Sequence, residues 1–284
     1  MGVMFGILAA VLWGVGDFLI THLTRRVGTT RALVAIQALS LLAWIGLLLS
    51  QPARSAGTPA LWLIVAGTAV CHVLGLVFVY RAFEIGTLSL VSPISSGFAV
   101  ITAVLAMLSG EHAPAPAIAG AALLVAGVVL ATRAPGSGQA FTLRGVPEAL
   151  LSALAFGTMF WLFYFYVQPN LGYALPLIAL KTLAAVSSMM ALASRRSEAT
   201  RIARIAIRPN IVLLALGAAA ADTLAWLTYI WGTHTTYATV VTALASLFSV
   251  VTVLLAWGLL RERLARHQWA GVAVVLLGIL LVST

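Results

Sequence analysis

The chain has 284 residues, of which 62% are hydrophobic and only 8% charged, against about 25% charged in a soluble domain. So little polar material cannot cover a soluble surface, and the apolar content has to face lipid. The net charge of +9 lies in short loops between apolar runs, as charges flanking membrane spans do, which argues against a nucleic-acid partner.

A crossing helix needs about 20 mostly apolar residues. Ten such segments follow one another, at 3–23, 31–50, 60–83, 88–109, 114–133, 146–168, 173–194, 210–232, 237–260 and 267–283. The expected class is an all-α integral membrane protein with ten transmembrane helices, because a barrel would show alternation in segments of about 10 residues. The first run lacks a basic n-region and is expected to stay as a span. Turn residues predict breaks at Gln51-Pro52, Gly57-Thr58-Pro59, Ala134 to Gly138 and Gln168-Pro169-Asn170. The segment from Ser194 to Arg208 carries Arg201, Arg204 and Arg208 and predicts a short basic helix on the headgroups.

Ionisable residues inside spans cost at least about 2.5–3.5 kcal/mol each and usually face a cavity or a partner. Asp17 in the first span shares a face with Trp13 and Thr21. It either lines a cavity at one mouth or pairs with Arg25 or Arg26. His72 in the third span is a candidate proton-relay residue or a hydrogen-bonded interface histidine. In the fourth span Ser92-Pro93-Ile94-Ser95-Ser96-Gly97 sets a helix-breaking proline among hydroxyls. Freed carbonyls, with Ser92 and Ser95, would line a polar path, and Pro93 would mark a gating bend; a kinked helix packed in place is the alternative. The sixth span holds MFWLFYFY at 159–166, where Tyr166 reads as interfacial belt and Trp161 as either belt or cavity.

Lys181, the only lysine, lies within the seventh span. It would snorkel, neutralise Asp222 or receive a substrate carboxylate. Asp222 in the eighth span is followed on the same face by Trp226 and Tyr229. An acid with two aromatics suits a partly apolar cation or amine; a structural pair with Lys181 is the alternative. Together, the acids and one lysine suit a zwitterion such as an amino acid. Glu111 and Glu262 at span ends read as structural, holding a loop or capping a helix N-terminus. A single cysteine, Cys71, excludes a disulfide framework and a cysteine metal site. With no HExxH, no clustered histidines and no phosphate-binding loop, no metal, cofactor or enzymatic activity is expected.

The chain also repeats itself. EHAPAPAIAGAALLVAGVVLA from Glu111 and ERLARHQWAGVAVVLLGILLV from Glu262 share the frame E–x8–G–x6–G. An offset of 150 aligns Phe98 with Phe248, Thr102 with Thr252, Gly67 with Gly217 and His72 with Asp222. An offset of 143 aligns Gly2 with Gly145, Gly14 with Gly157 and Asp17 with Phe160. Two five-span units are expected, at 1–137 and 146–284, joined by a linker at 138–145. An odd number of spans inverts the second unit, a recurrent build of secondary transporters with the site at the midplane between repeats.

WG at 13–14, YRAFEIGTLSLVSPI at 80–94, GE at 110–111 and RE at 261–262, in this order on a duplicated chain, resemble the drug/metabolite transporter superfamily, EamA type. The resemblance implies two five-helix bundles and a central cavity lined by spans 1, 3, 4, 6, 8 and 9. Spans 5 and 10 would be peripheral. It also implies movement of small metabolites, often export of amino acids or related compounds. One departure is Ser249 where a proline is typical, which removes the support for a kink there. The expected protein is a multi-pass transporter or facilitative exporter of the cell (inner or plasma) membrane, working by alternating access on a small-molecule substrate. Protons are a candidate coupling ion and membrane lipid its surroundings. The rivals are a flippase for an amphipathic lipid and, behind it, a membrane-embedded enzyme. All sixteen basic residues except Arg54 and Lys181 fall in loops on one side. The positive-inside rule puts those loops in the cytoplasm and both termini outside; the resemblance implies the reverse.

Overall fold

The computed structural model describes residues 2–48, 57–110, 115–132, 143–194, 208–235, 241, 244–259 and 266–282. All regular structure among them is helical: α1 Gly2–Val27, α2 Thr29–Leu48, α3 Pro59–Ile85, α4 Leu88–Ser95, α5 Phe98–Leu108 and α6 Ala115–Thr132. Then follow α7 Val146–Leu162, a π-helical turn Phe163–Val167, α8 Gln168–Leu171, α9 Ala174–Ala193, α10 Pro209–Thr235, α11 Phe248–Leu259 and α12 Arg266–Val282. Seven helical segments among the described residues are long and apolar enough to cross a membrane. They start at Met4, Thr29, Pro59, Leu90, Val146, Ala174 and Pro209; Phe248–Leu259 and Trp269–Gly278 are shorter apolar helices. Glu111, Glu262, the 195–207 part of the basic segment and the 138–142 part of the linker lie outside the described residues.

Local chemistry accounts for the ends. Thr58 caps α3 by accepting from the Leu61 N–H at 3.3 Å, with Pro59 in the first turn. At the other end, Arg25 donates to the carbonyls of Phe83 (3.3 Å) and Gly86 (2.9 Å), which have no helical partner left. The break expected at Gln168-Pro169-Asn170 falls instead at Gly172, whose φ of +69° suits glycine. Pro169 lacks an N–H and crowds the carbonyl one turn back; the chain opens into the wider π turn and continues helical to Leu171.

The fourth apolar segment is interrupted after Pro93, at Ser96–Gly97, between α4 and α5. Three bonds of tighter i→i−3 type cross the break: Gly97 N–H to Ile94, Ala99 to Ser96 and Val100 to Gly97. The same three recur 150 residues later, as Leu247 to Leu244, Ser249 to Ser246 and Val250 to Leu247. The second break needs no proline. The lack of one there, which had removed the support for a kink, is overridden by this local bonding.

Packing follows small residues. α1 lies along α10, with Gly232 facing Phe5 and Gly217 facing Leu19, so the two run antiparallel. α3 lies along α7, α2 along α9, and α6 along α12. Gly120 and Gly127 of α6 and Gly271 and Gly278 of α12 are all buried. The tightest crossings come as a matched couple. A Cβ on Gly14 would sit 2.5 Å from Val251 Cβ and 2.8 Å from the Phe248 carbonyl; one on Gly157 would sit 2.4 Å from Ile101 Cβ and 2.8 Å from the Phe98 carbonyl. Thr252 Oγ1 donates to the Gly14 carbonyl at 3.4 Å, and Thr102 Oγ1 to the Gly157 carbonyl at 3.0 Å.

Candidate functional site

Helical spacing turns four stripes toward one interior space. On α1 these are Trp13, Asp17 and Ile20; on α3, His72, Leu76, Val79 and Tyr80; on α7, Phe156, Met159 and Phe160; on α10, Asp222 and Trp226. Ser95 of α4, Phe98 of α5 and Phe248 of α11 complete the wall. The cavity volume is about 100 Å³. That is several times what one water needs, roughly 10–15 Å³, and less than the roughly 300–1,000 Å³ of a drug-sized pocket.

The two carboxylates in this space differ in their surroundings. Asp222 Oδ2 accepts from Lys181 Nζ at 2.6 Å and from Ser40 Oγ at 3.1 Å. Lys181 is fully buried, so its ammonium is held there by the acid, not snorkelled to an interface. Asp17 Oδ2 accepts from the hydroxyls of Ser92 and Thr252, both at a long 3.4 Å. Among the described residues it has no basic partner. The expected alternative, a pair with Arg25 or Arg26, does not form: Arg25 donates to carbonyls at the end of α3, and Asp17 faces the cavity. His72 is 2% exposed, and neither ring nitrogen has a hydrogen-bond partner. The bland reading of an interface histidine with its bonds made does not hold. His72 and Asp222, which align at offset 150, both line the cavity without bonding each other; the acid's partner is Lys181. Ser95 Oγ is likewise buried without a partner.

Aromatic rings gather along the space on the side of the α1 N-terminus. Phe160 stacks on Trp226 (centroids 5.5 Å apart) and on Phe98 (4.9 Å), and Trp13 meets Trp226 edge-on at 5.8 Å. Tyr229 joins this cluster from behind, 5.7 Å from Trp13 and 5.6 Å from Phe160. It supports the wall without lining the cavity. Trp161 points elsewhere: its indole donates to Ser109 Oγ at 3.0 Å at the end of α5, and its ring packs against Tyr166, which is 38% exposed. Pro93 lies in α4 outside the lining, with Ser96 Oγ donating to its carbonyl at 2.7 Å.

Sequence reasoning missed Tyr80, Thr252 as a partner of Asp17, Ser40, and the phenylalanines of the wall. Tyr80 was within reach, since it falls eight residues after His72 on the same face. In the sequence Thr252 stands out only as a repeat marker, aligned with Thr102. Ser40 carries no local signal.

Comparison with known proteins bears on the whole chain. No curated protein sequence gives a significant match. The fold is similar to that of a solved structure described only as the crystal structure of a protein. The TM-score is 0.58 at 16% identity, over 99% of this chain and 95% of that one; at that identity the likeness concerns the fold alone. The model of the EamA-like transporter family matches residues 1–133 and again 143–284. The all-helical build, the apolar segments and this double match together make the chain a multi-pass membrane protein that belongs to the EamA-like transporter family.

Proposed function

We propose that this protein is a secondary transporter or facilitative exporter of small metabolites, with amino acids or related amine-bearing compounds as substrates, working by alternating access in the cell membrane. The observation that carries the reading is the interior cavity, where Asp17, His72 and Asp222 are gathered from three helices among aromatic walls. Such groups are too costly at membrane depth to be kept there as filler. In this reading the chain has ten spans in two inverted five-helix units, 1–137 and 146–284, with 138–145 as linker. The matched crossings at Gly14 and Gly157, and the twin breaks at Ser96–Gly97 and Ser246–Leu247, support it. The pairing of α1 with α10 and of α7 with α3 supports it too, because exchanging the units exchanges the two pairs.

Alternation would then consist of the two units trading conformations about a fixed site. The aromatic cluster closes one side, and the opposite side would close as these rings part. Protons are the proposed coupling ion. Uptake of labelled amino acids and amines into proteoliposomes, with and without a pH gradient, tests the reading. Saturable uptake is expected, falling in His72→Gln. Uptake equal to protein-free vesicles across the panel, with a fluorescent phospholipid crossing between leaflets instead, would replace it with the flippase.

A further inference from the structure

We infer that the cavity is built for a compact organic monocation, a primary or secondary ammonium without a carboxylate, and that Asp17 is the residue that receives its charge. The inference rests on the transport reading and narrows its substrate class.

Charge bookkeeping decides it. Lys181 is the chain's only lysine, and it is held by Asp222 at 2.6 Å with Ser40 on the same oxygen. Lys181 is fully buried and is not part of the cavity wall. Among the described residues, no arginine contributes to that wall either. A substrate carboxylate entering this space would therefore meet no cation among the described residues, only the Asp17 carboxyl. A zwitterion, expected from the sequence because acids and one lysine occur together, is the wrong complement once that lysine is spoken for. What the cavity presents after the Lys181–Asp222 pair is cancelled is one carboxylate. Its hydroxyl contacts, both 3.4 Å, leave it short of partners.

The remaining features fit an ammonium. The His72 ring nitrogens are buried and unpartnered, and the neutral ring offers an acceptor to a second N–H. Ser95 Oγ offers another. Trp13 and Trp226 present ring surface beside Asp17 and Asp222, which attracts a cation and covers an apolar body. The volume of about 100 Å³ limits that body to a compact group.

The test uses the purified full chain and matched pairs of ligands, phenethylamine with phenylalanine and isobutylamine with valine. Binding is measured calorimetrically in detergent, and transport in proteoliposomes. Each amine is expected to bind at least ten-fold more tightly than its parent amino acid. Asp17→Asn should weaken amine binding by roughly 10- to 100-fold, the scale of one lost charged hydrogen bond. Asp17→Glu, which keeps the charge, should recover most of it. Both variants are first matched to the parent protein in unfolding temperature and gel-filtration profile. If Asp17→Asn does not fold, Asp17→Glu and the ligand pairs decide. Amino acids bound as well as or better than the amines would overturn the inference while leaving the transport reading intact. So would wild-type amine affinity in a folded Asp17→Asn protein, or no amine binding at all. Phospholipid movement with no solute uptake would remove the transport reading and the inference with it.

Discussion

The Lys181–Asp222 pair gives the sharpest test of the packing. Lys181 is fully buried, whereas the Asp222 side chain is 16% exposed to the cavity and keeps a second bond from Ser40. Asp222→Leu therefore strands an ammonium with no acid and no water, and should cost about 3–5 kcal/mol. Lys181→Met strands a carboxylate that still has Ser40 and the cavity, and should cost about 1.5–3 kcal/mol, the value of a charged hydrogen bond. Putting both changes in one chain removes both charges and leaves two apolar side chains, an exchange that is usually neutral or stabilising. The double variant should fall within about 1 kcal/mol of the parent, although its singles sum to several times that. A coupling of this size agrees with two charges near contact at an effective dielectric of 20, about 4 kcal/mol. The assay is reversible unfolding in mixed micelles with rising denaturing detergent, read by tryptophan fluorescence. Additive costs in the double variant, or a smaller cost for Asp222→Leu than for Lys181→Met, would refute the reasoning. Transport by the folded double variant then separates roles: retained uptake makes the pair structural, and lost uptake gives Asp222 a part in substrate handling.

Gly14→Val and Gly157→Val should each lose about 1–3 kcal/mol or more, because the added atoms land on Val251 or Ile101 and on backbone carbonyls. Gly46→Ala, where a Cβ meets nothing within 4 Å, should instead gain about 0.5–1 kcal/mol in the same unfolding assay. Pro93→Ala should leave uptake near the parent level, since the matching break at Ser246–Leu247 forms without proline; uptake abolished in a folded P93A protein would restore the proline as a gate. In a Cys71→Ser background, a cysteine placed beside Met1 should react with an impermeant thiol reagent added outside intact cells. Arg25, Arg81, Arg144 and Arg208 share one end of the bundle, and the positive-inside rule would place that end in the cytoplasm; labelling from the cytoplasmic side alone would refute this.

Seven of the expected spans were legible because hydropathy over 20 residues is a bulk property that no single contact overrides. Breaks were less so. Pro93 marked one correctly, but its twin at Ser246–Leu247 has no proline, and Pro169, which looked like a stop, is absorbed by a π turn. Proline removes one bond; whether the helix ends depends on what neighbours supply in return. The stripes on α1 and α10 were readable from spacing alone, and Trp13, Asp17, Asp222 and Trp226 lead into the cavity, while Thr21 and Tyr229 do not line it; on α3 only His72 stood out. Trp161 lies one residue from Phe160 and therefore about 100° around the helix, enough to turn it from the wall to Ser109.

Charge pairing was the part the sequence left open, and it changes the chemistry most. Asp17 and Asp222 are equivalent on paper, each an acid followed or preceded four residues away by tryptophan. Asp222 stands at the middle of its expected span, 210–232, and Asp17 nearer the end of 3–23, which by depth alone favours Asp222. Lys181 reverses that order, since a lone cation can neutralise one acid only. It sits on α9, which packs against α2, and Ser40 of α2 reaches the same Asp222 oxygen. The acid fully served by its neighbours is the one least able to gain from a ligand, because a ligand would have to compete with a bond of 2.6 Å. Asp17, with two long hydroxyl contacts, has the most to gain. Its counterpart at offset 143 is Phe160, so the charge stands on one side of the cavity and an aromatic face on the other. A single ammonium attached to an apolar body has that same polarity, with its charged end directed to α1 and its apolar end to α7.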